Sequence, residues 1–340
     1  MPSSLVDVIQ KYFSLGISQQ LDYDKFYLYS IITHSTAIEG STITEIENQL
    51  LFDEGISAKK PMAEQLMNLD LKHAYEESFH LAQIHEDYSI KLLCHLSSLV
   101  MKNTGSIYKT MTGDFSSAKG DLRLVNVSAG FGGKSYLSWQ KIPHSLEQFC
   151  CWINQERKKI KQGDIEQIYR LSFEAHYHLV NIHPWADGNG RMSRLVMNMI
   201  QHEFEVIPSI VKKDNRAEYI QALIQSQEEN NSNYFVDFML HHHEQNLSLQ
   251  IQEYQTSMES EASFGGQKIV QGGQKKWSET TLKILELIRK NPKISRKELC
   301  LELQINPSAV QKHIEHLKNQ HIIERIGGIR AGEWKILQGN

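Results

Sequence analysis

Cysteine is scarce in this chain and never paired in sequence for chemistry. Cys94, Cys150, Cys151 and Cys300 are the only four, and none forms a Cys-x-x-Cys spacing. That excludes a zinc knuckle and a thioredoxin-type redox site. No apolar run approaches the ~18 residues of a membrane span. The first 13 residues lack the basic stretch and long apolar core of a secretion signal. A reduced protein of the cytoplasm is therefore expected, with no membrane partner. An excess of positive charge is missing as well. Lys and Arg number 36 against 40 Asp and Glu, a net of −4, so the chain as a whole is no general polyanion binder. No internal repeat of 20–50 residues occurs. What is present is 340 residues, 40% of them apolar. That is enough for two or three domains and a real core.

Helical periodicity dominates. It predicts helices over 21–34, 42–52, 61–84 and 88–101, with Pro61 suited to a first turn. It predicts others over 145–161, 165–182, 191–203, 217–229 and 234–261. The stretch 104–138 differs, being rich in Gly, Ser and Asp. Its alternating pieces 121–127 and 135–139 flank Ala129-Gly130-Phe131-Gly132-Gly133, which predicts a hairpin. Residues 263–276 carry two Gly-Gly pairs and few large apolar residues, the composition of a linker.

One segment carries chemistry: His183-Pro184-Trp185-Ala186-Asp187-Gly188-Asn189-Gly190-Arg191-Met192-Ser193-Arg194. Pro184 ends the preceding helix at His183. Asp187-Gly188-Asn189-Gly190 is a tight turn leading into a new helix near Arg191. A helix start offers free N–H groups and a positive dipole end, which together bind anions. Arg191 and Arg194, three apart, suit phosphate oxygens. Asp187 makes sense beside them if Mg²⁺ bridges carboxylate and phosphates. His183 is placed to accept a proton near neutral pH. Eight specified positions at about 5% average usage arise by accident about once in 10⁸ chains of this length.

The segment resembles the Fic signature, His-Pro-Phe-x-Asp/Glu-Gly-Asn-Gly-Arg-x-x-Arg, departing from it only at Trp185. Trp keeps a large aromatic anchor, expected to be buried. Glu174-Ala175-His176 and Asn181-Ile182-His183 are also similar to the family, and the resemblance spans roughly 92–240. It implies a mainly α protein, with a helical Fic core and a β-hairpin flap, that transfers AMP from ATP to a Ser, Thr or Tyr hydroxyl of a protein. By that resemblance His183 is the general base and Asp187 holds Mg²⁺. Gly188, Asn189 and Gly190 cradle the phosphates, and Arg191 and Arg194 neutralise them. Tyr219 borders the adenine or is an ordinary core tyrosine. The hairpin at 121–138 is the flap on which a target protein docks as an added strand. Some relatives transfer UMP, phosphocholine or phosphate instead, and Fic cores often form homodimers.

Ser35-Thr36-Ala37-Ile38-Glu39-Gly40 resembles the family's inhibitory motif, Ser/Thr-x-x-x-Glu-Gly/Asn. Ser35 and Glu39, four apart, share a helix face. The resemblance implies that Glu39 pairs with Arg194 and blocks the γ-phosphate. In some relatives this glutamate serves AMP removal, so addition and removal both stay open.

Residues 277–337 hold eleven Lys or Arg against seven Asp or Glu. Helices are expected over 279–290, 295–302 and 306–319. Ser295 with Glu298 forms a capping box, and Asn306 precedes Pro307 as a cap. Two strands around Gly327-Gly328 complete a resemblance to a winged helix–turn–helix. DNA binding through Ser308, Gln311 and Lys312 and protein docking are both open for it. A DNA-binding regulator with a nucleotide-sensing Fic core is the rival reading. The expected organisation is 1–87 helical with the inhibitory motif, 88–262 Fic core, 263–276 linker and 277–340 winged helix. Two decoys are set aside. Gly132-Gly133-Lys134-Ser135 lacks the first P-loop glycine, Ser128 standing in its place, and no helix follows it. His241-His242-His243 point in different directions on a helix.

Overall fold

The structure, a computed structural model, describes residues 4–20, 22–129, 135–161, 163–265, 279–303, 305–319, 322–326 and 333–337. They form two compact units, Met1–Ala262 and Ser263–Asn340. The chain is mostly helical. The expected linker 263–276 lies outside the described residues from 266 onward, as do the Gly130–Gly133 loop and the Gly327-Gly328 turn.

The first unit opens with α1 (Leu5–Ser14), inside the stretch 1–87 expected to be helical but without a helix of its own marked there. A capping box between Ser4 and Asp7 starts it, and Leu5, Val8, Ile9 and Tyr12 form its buried face. Then come α2 (Tyr23–Ile38), α3 (Glu45–Glu54), α4 (Met62–Gln83) and α5 (Ile90–Val100). A second capping box, Thr44 with Glu47, starts α3. Pro61 sits just ahead of α4. Helices α6 (Ile142–Lys159), α7 (Ile165–Ile182), α8 (Asn189–Glu203), α9 (Arg216–Glu228) and α10 (Asn233–Gly265) follow.

The antiparallel ladder of this unit precedes the expected hairpin. Strands β1 (Ile107–Thr110) and β2 (Gly113–Ser116) pair Ile107 with Ser116 and Thr110 with Gly113. Among the described residues between 121 and 138 the pairing is one bridge, Ser128 with Ser135, and a bond from the Tyr136 N–H to the Val127 carbonyl (3.0 Å). The reason is local. The backbone N–H of Arg123 donates to the Pro184 carbonyl (3.0 Å), so the first half of this segment bonds to the His183 loop rather than to a partner strand.

Helices α7 and α8 pack against each other at the centre. On one side lies a cluster drawn from α2, α4, α5 and α6, including Ile32, Leu71, Leu93 and Ile153. On the other lies a cluster from α1, α9 and α10, including Tyr12, Tyr219, Phe235 and Leu247. From Arg191 to Gln201 every residue of α8 is buried. Such a helix carries polar groups only if each is paired. Asn198 Oδ1 accepts from the Tyr75 hydroxyl (2.9 Å), and Asn198 Nδ2 donates to the Ser209 carbonyl (2.9 Å). Gln201 Nε2 donates to Ser172 Oγ (2.9 Å), and Gln201 Oε1 accepts from the Ser209 N–H (2.7 Å).

Histidines buried in this unit limit its stability in acid. Burial holds His176 neutral, far below the ordinary range, and pushes His243 down to about 3. The unfolded chain takes up protons at both below pH ~6.5 while the folded chain does not, so stability falls with pH from there down. At about 1.4 kcal/mol per histidine per pH unit, the pair removes about 3 kcal/mol per unit between pH 6 and 4. Thermal melts should show Tm dropping steeply over that range, with His243→Phe making the slope shallower. A Tm constant from pH 7.5 to 5 would contradict this.

The second unit holds α11 (Glu279–Lys290), α12 (Arg296–Leu303), α13 (Pro307–Asn319), β3 (Ile323–Ile326) and β4 (Glu333–Ile336). Strand β3 pairs antiparallel with β4. Ser295 and Glu298 form the expected capping box, and Asn306 Oδ1 caps α13 through the Ala309 N–H (2.7 Å). Ile284, Leu299, Val310, Ile314, Leu317 and Trp334 fill its core.

Candidate functional site

The loop from α7 to α8 is shaped by three side chains and two glycines. His183 ends α7 in the left-handed region (φ 51°), its N–H bonded to the Leu179 carbonyl. Trp185 is fully buried, as expected of the anchor, and its Nε1 donates to the Gly120 carbonyl (3.1 Å). Asn189 closes the turn reciprocally. Its Oδ1 accepts from the Trp185 N–H (3.1 Å) and its Nδ2 donates to the Trp185 carbonyl (2.8 Å). So Asn189 acts on the loop itself. Gly188 has φ 80°, and an added Cβ would stand 2.7 Å from Met101 Sδ. At Gly190 an added Cβ would stand 2.7 Å from Glu39 Oε1. The first glycine serves the turn, and the second lets a carboxylate approach the start of α8. No side chain of the Gly188 N-cap covers that start.

The arginines occupy different depths. Arg191, 4% exposed, donates from Nη1 to the Val100 carbonyl (3.4 Å) and from Nη2 to Met101 Sδ (3.0 Å). Its Nε is buried without a partner among the described residues. Arg194 donates from Nε to Ser35 Oγ (2.9 Å) and from Nη2 to the Ser35 carbonyl (3.0 Å) and to Glu39 Oε1 (2.6 Å). The structure thus brings Ser35 and Glu39 to Arg194, although 155 residues separate the two charges. Burial is the largest influence on Glu39 and opposes its ionisation, but the Arg194 guanidinium, with Arg191 and Arg216 behind it, together outweigh burial and hold the carboxyl below its usual range. Burial likewise disfavours the Arg194 cation, and Glu39 and Tyr219 together outweigh it.

Tyr219 reaches the site only through Arg194. It is 2% exposed, and its hydroxyl lies 3.5 Å from Arg194 Nη1 and 2.8 Å from His176 Nε2. Asp187 stands at the rim, its side chain 60% exposed and 3.8 Å from Arg191 Nη2. Its Oδ1 accepts from the Gly188 N–H (2.6 Å).

The His183 ring stacks on Tyr136, centroids 3.7 Å apart at 14°. Burial pushes its imidazole down to about 4, so it is neutral at pH 7 and free to accept a proton. Beside it opens a cavity of ≈ 240 Å³ lined by Tyr136, Leu137, Tyr177, Asn181, Gln227 and neighbours. Apart from Asn181, which belongs to the family-like Asn181-Ile182-His183, these wall residues carry no sequence motif. Neither does Arg123, a buried cation whose Nε donates to the His183 carbonyl (2.8 Å).

These features define a helical domain that offers a neutral histidine and an anion-accepting helix start on one loop. Comparison with known proteins agrees. Residues 87–201 match the Fic/DOC family, and residues 278–324 match the winged helix-turn-helix DNA-binding family. The chain carries a Fic domain and a C-terminal winged helix domain. It is similar to protein adenylyltransferase fic-1 of Caenorhabditis elegans, 25% identical over 249 residues, which cover 72% of this chain and 45% of that protein. It is also similar to protein adenylyltransferase Fic of Drosophila melanogaster, 26% identical over 193 residues, covering 55% of this chain and 35% of that protein. The chain spans less than half the length of these relatives. Among solved structures, a Fic domain containing signaling protein from Bacteroides thetaiotaomicron shares the fold with a TM-score of 0.60 at 21% identity, covering 73% of this chain and 97% of that one. A Fic family protein from Desulfovibrio desulfuricans aligns over 100% of this chain and 98% of its own, with a TM-score of 0.55 at 15% identity. No helix among the described residues is long and apolar enough to cross a membrane.

Proposed function

We propose that the chain is a protein adenylyltransferase that moves AMP from ATP to a hydroxyl of a protein, and that Glu39 inhibits it. The observation that carries this reading is the placement of His183 and the start of α8 on one short loop, with Arg194 turned to a carboxylate at that same helix start. The names of the curated relatives support the choice of AMP.

In the reaction His183 takes the proton of the target hydroxyl. The hydroxyl oxygen forms a bond to the α-phosphorus of ATP, the bond to the bridging oxygen breaks, and pyrophosphate leaves. Arg191 and Arg194 balance the phosphate charge, a task suited to guanidinium forks. The unpartnered Nε of Arg191 is a donor available for it. The cavity beside His183 takes the base, with Asn181 and Gln227 as its polar edge. Asp187 suits Mg²⁺, which takes one or two carboxylates and fills its remaining positions with substrate phosphates and water. Mg²⁺ would supply charge neutralisation there. The same cation Arg194 cannot serve Glu39 and a terminal phosphate at once, which is the basis of inhibition.

The test is incubation of the Glu39→Gly chain with Mg²⁺ and ATP labelled at the α-phosphate, alone and in lysate. Label on protein is expected, and its absence from every protein would refute the reading.

For the C-terminal domain the family match favours DNA as a partner. Binding of random duplex by the full chain should be measurable at 50 mM salt, weaken as salt rises, and weaken further in Lys312→Glu. No gel shift at low salt would leave protein docking as the role of this domain.

A further inference from the structure

Arg123 is among the largest fully buried side chains of the described residues, and its donors go to carbonyls rather than to a carboxylate. Nε donates to His183 (2.8 Å), Nη1 to Val125 (2.6 Å) and Nη2 to Leu137 (2.5 Å). Its backbone N–H donates to Pro184 (3.0 Å). One residue thus binds the carbonyls of the histidine and of the proline after it. It also binds one carbonyl from each end of the segment between 121 and 139.

We propose that Arg123 is a positioning residue for AMP transfer, clamping the two ends of the flap segment to the backbone that carries His183. The inference rests on the adenylyltransferase reading above. Three features support it. His183 has positive φ (51°), a conformation uncommon outside glycine that persists only where the surroundings hold it. The Arg123 bond to the His183 carbonyl is part of that hold. Next, Leu137 follows Tyr136, whose ring stacks on His183, so the bond to the Leu137 carbonyl places the stacking partner. Finally, Tyr136 and Leu137 also wall the cavity. The guanidinium is a planar fork with five donors and reaches three carbonyls at once, whereas an ammonium is a single point of charge. The phosphate-binding groups, by contrast, are held elsewhere, Arg194 by Ser35 and Arg191 by Val100 and Met101.

The test compares Arg123→Met and Arg123→Lys in the Glu39→Gly background. It reads the single-turnover rate of self-labelling at saturating ATP. It also reads the Kd of α,β-methylene ATP with Mg²⁺. Loss of position at the base should slow transfer about 100-fold in Arg123→Met, with partial recovery in Arg123→Lys, while Kd rises far less than the rate falls, by no more than about tenfold through the cavity wall that Tyr136 and Leu137 form. A purely structural residue would move affinity and rate together. The proposal is overturned by a folded Arg123→Met within about 3-fold of the parent rate, by a Kd that rises as far as the rate falls, or by Arg123→Lys no better than Arg123→Met. If Arg123→Met does not fold, Arg123→Lys decides, and a parent-like rate in it overturns the proposal. A Glu39→Gly parent that labels nothing refutes the adenylyltransferase reading itself, a separate outcome visible before any Arg123 variant is made.

Discussion

Glu39→Gly should raise transfer of AMP on the order of 100-fold over the unaltered chain. The size follows from what the substitution frees. Arg194 Nη2 donates to Glu39 Oε1 at 2.6 Å, and a hydrogen bond to a charged group contributes about 1.5–3 kcal/mol. Given to the γ-phosphate instead, that interaction corresponds to roughly 10- to 150-fold at about 1.4 kcal/mol per tenfold. The substitution also clears the space beside Gly190 where the carboxylate now stands. The fold should survive, because Arg194 keeps Ser35 Oγ and the Ser35 carbonyl as partners. The measurement is the rate of label transfer at fixed Mg-ATP, with Tm followed as ATP is added. Equal rates in both proteins would remove the inhibitory role of Glu39, and a loss of Tm without a gain in rate would assign it to stability alone.

His183→Ala should abolish transfer, by roughly 10³-fold or more in the Glu39→Gly background, while ATP affinity changes little. Proton transfer by a positioned side chain contributes about 10²–10⁴-fold. No other imidazole in the loop can replace it, since His176 is buried against Tyr219. On the proposed reading phosphate binding belongs to the start of α8 and to the arginines, which the substitution does not touch. The pH profile provides an independent check. Burial holds the imidazole neutral down to about 4. The base form is therefore complete at pH 7, and the rate falls only as pH drops through the low pKa. Bound phosphates favour the imidazolium and raise that value. The acid limb should accordingly lie between about 4 and the ordinary histidine value of ~6.5. A residual rate in His183→Ala within tenfold of its parent would exclude His183 as the base.

Much of this was legible before any coordinates, and the reasons differ from part to part. Helix α7 occupies the expected span 165–182, because Asp164 caps its start and Pro184 stops it. The signature residues are contiguous, so one loop conformation gathers them. Glu39 and Arg194 were joined only by resemblance, since periodicity says nothing about a pair so far apart. Tyr219, open between an adenine neighbour and a core tyrosine, is buried and lies with its hydroxyl 3.5 Å from Arg194 Nη1. Arg123 escaped notice because its partners are carbonyl groups, which every residue has and no pattern marks. The hairpin expected at 121–138 is met among the described residues by the Ser128–Ser135 bridge and the Tyr136 to Val127 bond, while at its first residues the Pro184 carbonyl takes the N–H of Arg123. The short ladder β1–β2, four residues on each side, was too brief to stand out.

The last turn of α2 is gripped from below. Thr36 Oγ1 donates to Asn68 Oδ1 (2.8 Å), which also accepts from Asn48 Nδ2 (2.8 Å), while Asn68 Nδ2 donates to Ser41 Oγ (3.2 Å). Helices α2, α3 and α4 are therefore locked together just beneath Glu39, whose own side chain is still 36% exposed. On the proposed reading the brake is a rotamer rather than a hinge. Swinging one carboxylate outward leaves every helix in place, so the expected inhibition is graded by mass action against nucleotide instead of being thrown as a switch between two shapes.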